Sequence, residues 1–419
     1  MTQSKISRPR LAVVFSRFPA WRENFVVGDF IALDRAGFRI EIFTLLGQQG
    51  SFHQPETEIF QGRVHRASFL SPLLLWENIK AWCRPVTWRL FFQILAGTFA
   101  CPIELLKNCF LFPHAIYFAR LITQKEITHI HAAWASYPTT AAWIASELTG
   151  IPFSFSSHAH DIYKVRSLLR EKIERARFVV TCAETNRRAL IDIGGANAES
   201  KTYVHRHGSD LERFRPPVLS RRKSEPIWQI LACGVLDDYK GFEHLVGACA
   251  LLKNEGHKFE CRIIGQGPRR KHLIRQINQS GLSQQVHIIP PMLQGKLAAH
   301  YHEADVLVHP SVVTKQGRRD VIPNVLVEAM ASGTPVISTR LSGIQELIQH
   351  GKNGLLVPSG DPQALAGAIL SLMQDSLKRE RLVEAAQDTV AKAYDRRRNA
   401  VGLIETFVTH VSPQQTALS

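Results

Sequence analysis

Two carboxylates, Asp320 and Glu328, stand with seven residues between them, and the second lies in an apolar run at residues 325–331. Helical spacing would put Asp320 at or before the start of a helix and Glu328 about two turns into it. An ionised carboxylate only accepts hydrogen bonds, so such an acid can hold hydroxyl groups, for example the two of a ribose. Taken singly, Asp320 also fits a helix N-terminal charge, and Glu328 a solvated helix residue.

A second feature is an anion site predicted at residues 231–241, which form a strand, a turn opened by Gly234, and the start of a helix. Lys240 stands beside that helix start, where free N–H groups and the helix dipole favour anions. A diphosphate is the natural ligand. After the next predicted strand, Gly265 and Gly267 lack side chains that would keep a ligand from the backbone. A lone Gly-x-Gly is, however, more often a structural turn.

The elements that must position these residues alternate along the chain as short apolar runs and helical patterns, which indicates parallel sheets. A break rich in proline and charge at residues 213–226 separates two such sets. We therefore predict an α/β fold with two doubly wound, Rossmann-like domains, in which ligands lie beyond the carboxyl ends of the strands, in the cleft that the domains face. The predicted strands lie at residues 11–15, 40–45, 129–132, 153–156, 178–182, 201–205, 228–233, 258–264, 286–289, 306–309, 335–338 and 354–357.

The length of 419 residues suits two or three domains. We predict an N-terminal domain at residues 1–215 and a second domain at residues 216–385. The helical tail at residues 386–419 is expected to cross back onto the first domain.

A net charge of +15 and a pI near 9.7 call for an anionic partner: nucleic acid, an anionic membrane surface or a phosphorylated substrate. No nucleic-acid-binding motif occurs, so nucleic acid is the least favoured. Between residues 63 and 125, basic residues alternate with aromatic and aliphatic ones. That composition is typical of a segment lying on an anionic leaflet, and equally of helices whose aromatic residues cover a sheet.

The same composition bears on localisation. The longest apolar run, at residues 90–106, is too interrupted to span a bilayer. The apolar run at residues 11–15 is too short for a signal-peptide core. Seven scattered cysteines without a CxxC pair fit reduced thiols. We expect a cytoplasmic protein, at most peripheral on the inner face of the plasma membrane.

The carboxylate signature and its surroundings resemble family 4 (group 1) of the retaining GT-B glycosyltransferases, in particular bacterial exopolysaccharide and colanic-acid-type members. The segments that carry the resemblance are residues 15–25, 129–134, 157–162, 207–214, 231–241, 261–268, 304–311, 320–339, 342–348 and 353–358. The resemblance implies a GT-B fold and transfer of a sugar, with retention, from a nucleotide-diphosphate donor to a hydroxyl of a glycan or lipid-linked acceptor. It implies no cofactor and no bound metal, because fixed cations and helix dipoles neutralise the leaving diphosphate.

The resemblance also implies roles for single residues. Asp320 and His158 would act as catalytic residues that position the donor sugar. Lys240 would hold the diphosphate and Glu328 the ribose. The other donor-binding residues that it implies are Gly234, Gly265, Gly267 and Asn324.

On the acceptor side, the resemblance implies Glu23 and Asp161. Lone histidines beside strand ends are most often structural, so His131, His207 and His309 receive no catalytic role.

Two departures from the family pattern bear on activity. Val235 stands where the family usually has arginine, and Val321 where it commonly has glycine. These departures favour a degenerate, non-catalytic binding protein, whereas the retained Lys240, Asp320 and Glu328 favour an enzyme. A sugar-nucleotide isomerase on the same fold is a further alternative, although the carboxylate signature belongs to transferases.

Overall fold

The computed structural model describes residues 9–19, 24–47, 55–66, 68, 71–216 and 227–411. The chain divides into two compact units. The first comprises Met1–Cys182, Asn186–His205 and Ala400–Ser419, and the second comprises Ala183–Thr185 and Arg206–Asn399. The domain boundaries that we predicted at residues 215 and 385 stay predictions.

The first unit is built on a seven-stranded sheet in which all neighbouring strands are parallel, in the order β3-β2-β1-β4-β5-β6-β7. Residues 11–15 of β1 are all buried, because helices cover both faces of such a sheet. The strands are β1 (Arg10–Arg17), β2 (Arg39–Leu46), β3 (Val64–Arg66), β4 (His129–Ala132), β5 (Phe153–Ser157), β6 (Val179–Thr181) and β7 (Thr202–Val204).

Helices connect these strands, and a 3₁₀ helix at Pro55–Phe60 precedes β3. Three long helices, α2 to α4, lie between β3 and β4, and each has a proline in its first turn, where a missing N–H leaves no hydrogen bond unmade. The helices of this unit are α1 (Asn24–Arg35), α2 (Pro72–Trp82), α3 (Pro85–Thr98), α4 (Pro102–Gln124), α5 (Tyr137–Thr149), α6 (Ala159–Tyr163), α7 (Leu169–Arg175), α8 (Glu184–Gly194) and α9 (Ala196–Glu199).

The second unit has a six-stranded parallel sheet in the order β10-β9-β8-β11-β12-β13. Its strands are β8 (Trp228–Cys233), β9 (Phe259–Ile264), β10 (Val286–Ile289), β11 (Val306–His309), β12 (Val336–Thr339) and β13 (Leu355–Val357). Its helices are α10 (Leu211–Phe214), α11 (Phe242–Asn254), α12 (Arg270–Gln279), α13 (Gln294–Glu303), α14 (Asn324–Ala331), α15 (Ile344–Leu347), α16 (Pro362–Gln374) and α17 (Ser376–Ala393), with a 3₁₀ turn at Asp238–Lys240.

The last helix, α18 (Arg396–Val411), begins in the second unit and belongs to the first from Ala400 onward. In the first unit its Phe407 packs edge-on against Phe38 and Phe178, with ring centroids 6.1 and 5.2 Å apart.

The predicted fold class is confirmed, since both sheets are parallel and alternate with helices. The sequence reading missed β3, a three-residue edge strand whose residues are exposed or half-buried and therefore lack an apolar run. Of the predicted break at residues 213–226, residues 217–226 lie outside the described residues. In the described part of the chain, no helix is long and apolar enough to cross a membrane.

Candidate active site

Asp320 lies in the loop between β11 and α14 and is the centre of a buried hydrogen-bonded cluster. The Lys240 ammonium donates to both of its carboxylate oxygens, at 2.7 and 2.9 Å. His309 Nε2 donates to it at 3.0 Å, and the Ser311 hydroxyl donates to the same oxygen as His309. Asp320 precedes the first helical residue, Asn324, by four positions, so it is not a charge within the helix N-terminus.

The local fold explains why these groups meet. Lys240 ends the 3₁₀ turn after β8, and His309 ends the neighbouring strand β11. Because parallel neighbours end at the same edge of a sheet, the loops that follow them converge there. Gly234 follows β8 with φ of +153°, and a Cβ placed on it would lie 3.6 Å from Lys240 Cε, so this glycine lies against the lysine stem.

Charge pairing outweighs burial in this cluster. Burial alone would raise the pKa of Asp320, but the Lys240 ammonium and the His309 hydrogen bond hold it well below its usual value. Burial alone would lower the pKa of Lys240, but Asp320 raises it above its usual value. Burial and the nearby Lys240 lower the pKa of His309, so the imidazole is neutral and its Nε2 carries the proton facing Asp320.

Glu328 lies on the second turn of α14 and is buried, so its interpretation as a solvated helix residue is wrong. Its two oxygens accept from Tyr301 Oη at 2.8 Å and from Gln294 Nε2 at 2.9 Å, both on α13. Burial raises the pKa of Glu328 above its usual value. Each carboxylate oxygen has a second lone pair, so both oxygens can still accept a hydroxyl.

Gly265 and Gly267 lie in the loop after β9, as predicted, but the space beside them is filled by protein. A Cβ would come within 1.9 Å of Gly234 O at Gly265 and within 2.4 Å of Leu236 O at Gly267. Glycine is required at both positions because the loops after β8 and β9 pack backbone against backbone.

Arg318, which the sequence reading missed, binds the turn that carries Lys240. Its guanidinium donates to Asp237 and Asp238 at 3.2 Å and lies 4.7 Å from the centre of the Tyr239 ring. The Lys240 ammonium lies 5.0 Å from the centre of the same ring. Two cations thus flank one aromatic side chain beside Asp320.

His158 and Asp161 lie together in the first unit, after β5. His158 is the residue before α6, and its ring packs against Trp134 with centroids 4.3 Å apart. Asp161 is fully buried, and its oxygens accept the backbone N–H groups of His158 and Ser136, each at 3.1 Å. The carboxylate therefore joins the loops that follow β4 and β5.

A buried lysine completes this arrangement, and no sequence pattern indicated it. Lys172 Nζ on α7 donates to the carbonyl oxygens of Ala135 and Ser136, both at 2.8 Å, and of Ser167 at 3.3 Å. Burial raises the pKa of Asp161 to about 6 and lowers the pKa of Lys172 to about 8.

The positions of three other residues considered in the sequence complete the description. Glu23 lies outside the described residues. Asn324 is the first residue of α14, and Val321 is buried in the loop before it. Among the described residues, no group of three or more His, Cys, Asp and Glu side chains is placed to hold a metal ion.

The sequence reading also left out His309, Ser311, Tyr301 and Gln294, which touch the two predicted acids. For His309 and Ser311 a signal existed, because His309 ends a predicted strand and Ser311 follows it, shortly before Asp320 in the chain. Tyr301 and Gln294 lie on a helix whose position relative to α14 the sequence does not specify.

Residues 220–389 match the family model described as glycosyl transferases group 1. This part of the chain, here called the group 1 region, is therefore similar to the group 1 glycosyl transferases. It contains Lys240, Asp320 and Glu328, which the structure places at the ends of β8 and β11 and on α14.

Curated relatives agree with that assignment. The chain is 36% identical over 201 residues to the amylovoran biosynthesis glycosyltransferase AmsK of Erwinia amylovora, covering 48% of this chain and 49% of the relative. It is 38% identical over 175 residues to the putative colanic acid biosynthesis glycosyltransferase WcaL of Escherichia coli, covering 42% of each. The chain thus matches about half the length of these relatives or less.

Solved structures share the fold along nearly the whole chain. HepE of Anabaena, in complex with UDP and glucose, is 17% identical with a TM-score of 0.71, covering 96% of this chain and 100% of that structure. Sucrose-phosphate synthase of Thermosynechococcus elongatus is 19% identical with a TM-score of 0.71, covering 96% and 99%. The architecture is the two-domain GT-B fold.

Proposed function

We propose that the chain is a retaining glycosyltransferase that moves a sugar from a nucleotide-diphosphate donor to an acceptor hydroxyl without a bound metal. The observation that carries this proposal is the ion pair between Lys240 and Asp320 at the strand ends of the group 1 region, whose side chains are only 11% and 13% exposed. A ligand that has both phosphates and sugar hydroxyls can hydrogen-bond to the lysine and to the aspartate. Phosphate oxygens accept from the ammonium, and hydroxyls donate to the carboxylate.

In this proposal Lys240 and the start of α11 neutralise the charge that develops on the departing diphosphate. Fixed cations aimed at that charge perform the task of a metal ion, which supports metal independence. Glu328 accepts the two ribose hydroxyls while Tyr301 and Gln294 keep its carboxylate oriented. Gly234, Gly265, Gly267 and Asn324 supply the surrounding backbone of the donor site.

Asp320 and His158 position the donor sugar, and Glu23 and Asp161 are assigned to the acceptor side. The bond between the anomeric carbon and the diphosphate breaks, and the acceptor oxygen bonds to the same face of that carbon. The acceptor's proton passes to the departing diphosphate, so atoms and charge balance. His309 and Ser311 are positioning residues, because they orient Asp320 through their hydrogen bonds to it.

We further propose a role in bacterial polysaccharide or lipid-linked glycan assembly, at the cytoplasmic face of the plasma membrane. The names of the amylovoran and colanic acid relatives support the pathway class. The UDP and UDP-glucose complexes of HepE support a nucleotide-sugar donor.

The direct test is thermal-shift binding of the purified chain against a panel of nucleoside diphosphates and their sugars, with and without EDTA. We expect selective stabilisation by one nucleotide, unchanged by EDTA. Stabilisation by none of them would reject the transferase and favour a degenerate binding protein. Conversion of the sugar nucleotide without an acceptor would favour an isomerase.

The ribose assignment has a sharper test in Glu328→Gln. The wild type should prefer a ribonucleoside diphosphate over its 2′-deoxy form, and the variant should lose that preference because an amide places a donor where an acceptor is needed. Glu384→Gln, which changes an exposed acid on α17, is the matched control and should keep the preference. Equal preference in the wild type and Glu328→Gln would refute the assignment.

A further inference from the structure

Helices α2, α3 and α4 of the first unit expose an unusual amount of apolar surface. Ten of the eighteen large apolar side chains that are exposed in the described part of the chain lie on or between these helices. Phe99 and Leu106 are 77% and 73% exposed. We call these ten residues the apolar face; they are Leu73, Leu75, Trp76, Ile79, Trp88, Phe92, Phe99, Ile103, Leu106 and Phe110.

The same helices bury polar side chains on their inner side, the reverse of an ordinary surface helix. Asn78 donates to the carbonyls of Leu74 and Pro113, at 2.8 and 3.2 Å. Glu104 is buried and accepts from Tyr137 Oη at 2.6 Å. Because these buried polar groups are hydrogen-bonded, the inward orientation is specified by the sequence, and so is the outward orientation of the apolar side chains.

The apolar side chains follow helical spacing, so each helix carries a stripe. On α3, Trp88 and Phe92 stack with centroids 6.0 Å apart. The opposite faces of α2 and α3 enter one core cluster, through Leu74 on α2 and through Leu90 and Ile94 on α3. Since these helices bury their inner sides in a common core, their stripes point away from it.

The composition of what is exposed decides the class of partner. From residue 72 to residue 110, every exposed side chain belongs to an apolar residue, glycine, proline, cysteine, lysine or arginine. The exposed charges are Lys80, Arg84, Arg89 and Lys107. Of the two acids in that range, Glu104 is buried and Glu77 bonds Lys80 and Arg120, at 2.7 and 3.0 Å.

A protein partner would be expected to meet about one hydrogen-bonding group per 100–200 Å² of interface. Apart from the four cations, the hydrogen-bonding groups among the exposed side chains of residues 72–110 are thiols and two indole N–H groups, and the N–H of Trp88 already donates to the Trp82 carbonyl oxygen. An anionic leaflet instead presents acyl chains to apolar side chains and phosphates to cations at the same boundary. Tryptophan is enriched at that boundary, and long cationic side chains reach from apolar surroundings to the headgroups.

We propose that the apolar face is a docking surface for an anionic phospholipid leaflet, with α2 to α4 lying in the interface. The inference deepens the proposed function, because it names the surface by which the chain would reach lipid-linked acceptors. Its physical basis is independent of Lys240 and Glu328, the residues assigned to the diphosphate and the ribose, which lie in the second unit.

The test is flotation of the full chain with vesicles of phosphatidylcholine alone or mixed with phosphatidylglycerol, at physiological salt. The wild type should float with the mixed vesicles. Leu75→Ser/Phe92→Ser/Leu106→Ser removes one apolar side chain from each helix and should lower the partition coefficient at least about tenfold. The matched control, Leu377→Ser/Val401→Ser/Val408→Ser, changes exposed apolar residues elsewhere and should float like the wild type.

The double variant Lys80→Gln/Arg84→Gln tests the contribution of positive charge. We expect its binding to the mixed vesicles to weaken roughly fivefold for each charge removed. Wild type that does not float, or a triple-serine variant that floats equally well, would overturn the proposal. So would a dimer in size-exclusion chromatography with light scattering that the triple variant converts to monomer, since a second copy would then cover the face.

Thermal-shift binding of nucleotides, measured on the same variants, keeps the two proposals separate. We expect the triple-serine variant to bind nucleotide as the wild type does. Vesicle binding without nucleotide binding would support the docking surface and reject the transferase. Nucleotide binding without vesicle binding would support the transferase and reject the docking surface.

Discussion

Each unit contains a buried lysine and aspartate beside the carboxyl ends of its strands, and the two pairs behave oppositely. In the second unit, pairing lowers the pKa of Asp320 and raises that of Lys240. In the first, burial raises the pKa of Asp161 to about 6 and lowers that of Lys172 to about 8. The difference lies in what each group touches.

Lys240 touches Asp320 directly, at 2.7 and 2.9 Å. Lys172 instead donates to three backbone carbonyls, and Asp161 accepts two backbone N–H groups. Burial near an opposite charge is therefore not enough to stabilise the charged forms, since direct contact between the two charged groups decides. Asp161 and Lys172 hold loops together, whereas Lys240 and Asp320 form a direct ion pair, which the ligand separates in the proposed function.

The largest expected effect comes from Lys240→Met. It leaves Asp320 buried without its cation, so the free energy of unfolding should fall by roughly 3–5 kcal/mol. Nucleotide affinity should fall about 100-fold, because one charge-assisted phosphate contact is lost. Urea denaturation and thermal-shift titration measure the two effects.

The matched double variant Lys240→Met/Asp320→Asn removes both charges. We expect it to recover most of the lost stability and none of the lost nucleotide affinity. Equal stability of the single and double variants would mean that the ion pair does not determine the stability of this site.

Lys172→Met tests the lysine and aspartate of the first unit. Three carbonyls lose a charged donor, and the free energy of unfolding should fall by roughly 3 kcal/mol. Nucleotide affinity should stay unchanged, because Lys240 and Glu328, to which we assign the diphosphate and the ribose, lie in the second unit. Lys201→Met is the control: Lys201 also donates to two carbonyls, Glu174 and Ala176, but is less buried, so it should cost less.

The sequence predicted the fold class and twelve strands because a buried strand is a run of neighbouring apolar residues, which the sequence shows directly. The family resemblance also assigned Lys240 and Asp320 to one donor site, but it did not predict that the two side chains bind each other directly. The sequence did not predict Lys172, because a lysine on a short helix carries no sign of burial. Nor did it predict that the loops after β8 and β9 fill the space beside Gly265 and Gly267, since that depends on how two loops pack.

The comparison also predicts a pH dependence in the first unit. Asp161 has a pKa of about 6 when folded and an ordinary value of 3.8, so the unfolded chain releases this proton first. The stability that protonated Asp161 contributes is fully present below pH 3.8 and is lost as pH rises through 6. Between pH 4 and 6 the loss amounts to about 2 kcal/mol.

Asp161→Asn removes this titration. Titrations of groups that do not contact Asp161 cancel in the difference, so the stability of the wild type relative to the variant should decline from pH 4 to pH 6. Denaturant unfolding at several pH values measures the decline. A constant difference would mean that Asp161 keeps an ordinary pKa in the folded chain.

The smallest expected effect concerns Arg318, the second cation beside Tyr239. It already faces two carboxylates, Asp237 and Asp238, so little positive charge remains for a diphosphate. Arg318→Ala should therefore lower the free energy of unfolding by only about 1 kcal/mol. Nucleotide affinity should change no more than about threefold, because the charge removed was already neutralised.

The reverse substitution, Val235→Arg, adds a cation just before the turn that carries Lys240. It should strengthen binding of a nucleoside diphosphate more than that of the monophosphate, because the added charge faces an additional phosphate. If instead Arg318→Ala removes the preference for the diphosphate, Arg318 must leave Asp237 and Asp238 when nucleotide binds. Arg318 would then hold the diphosphate together with Lys240, and the turn at Asp237 would have to open on binding.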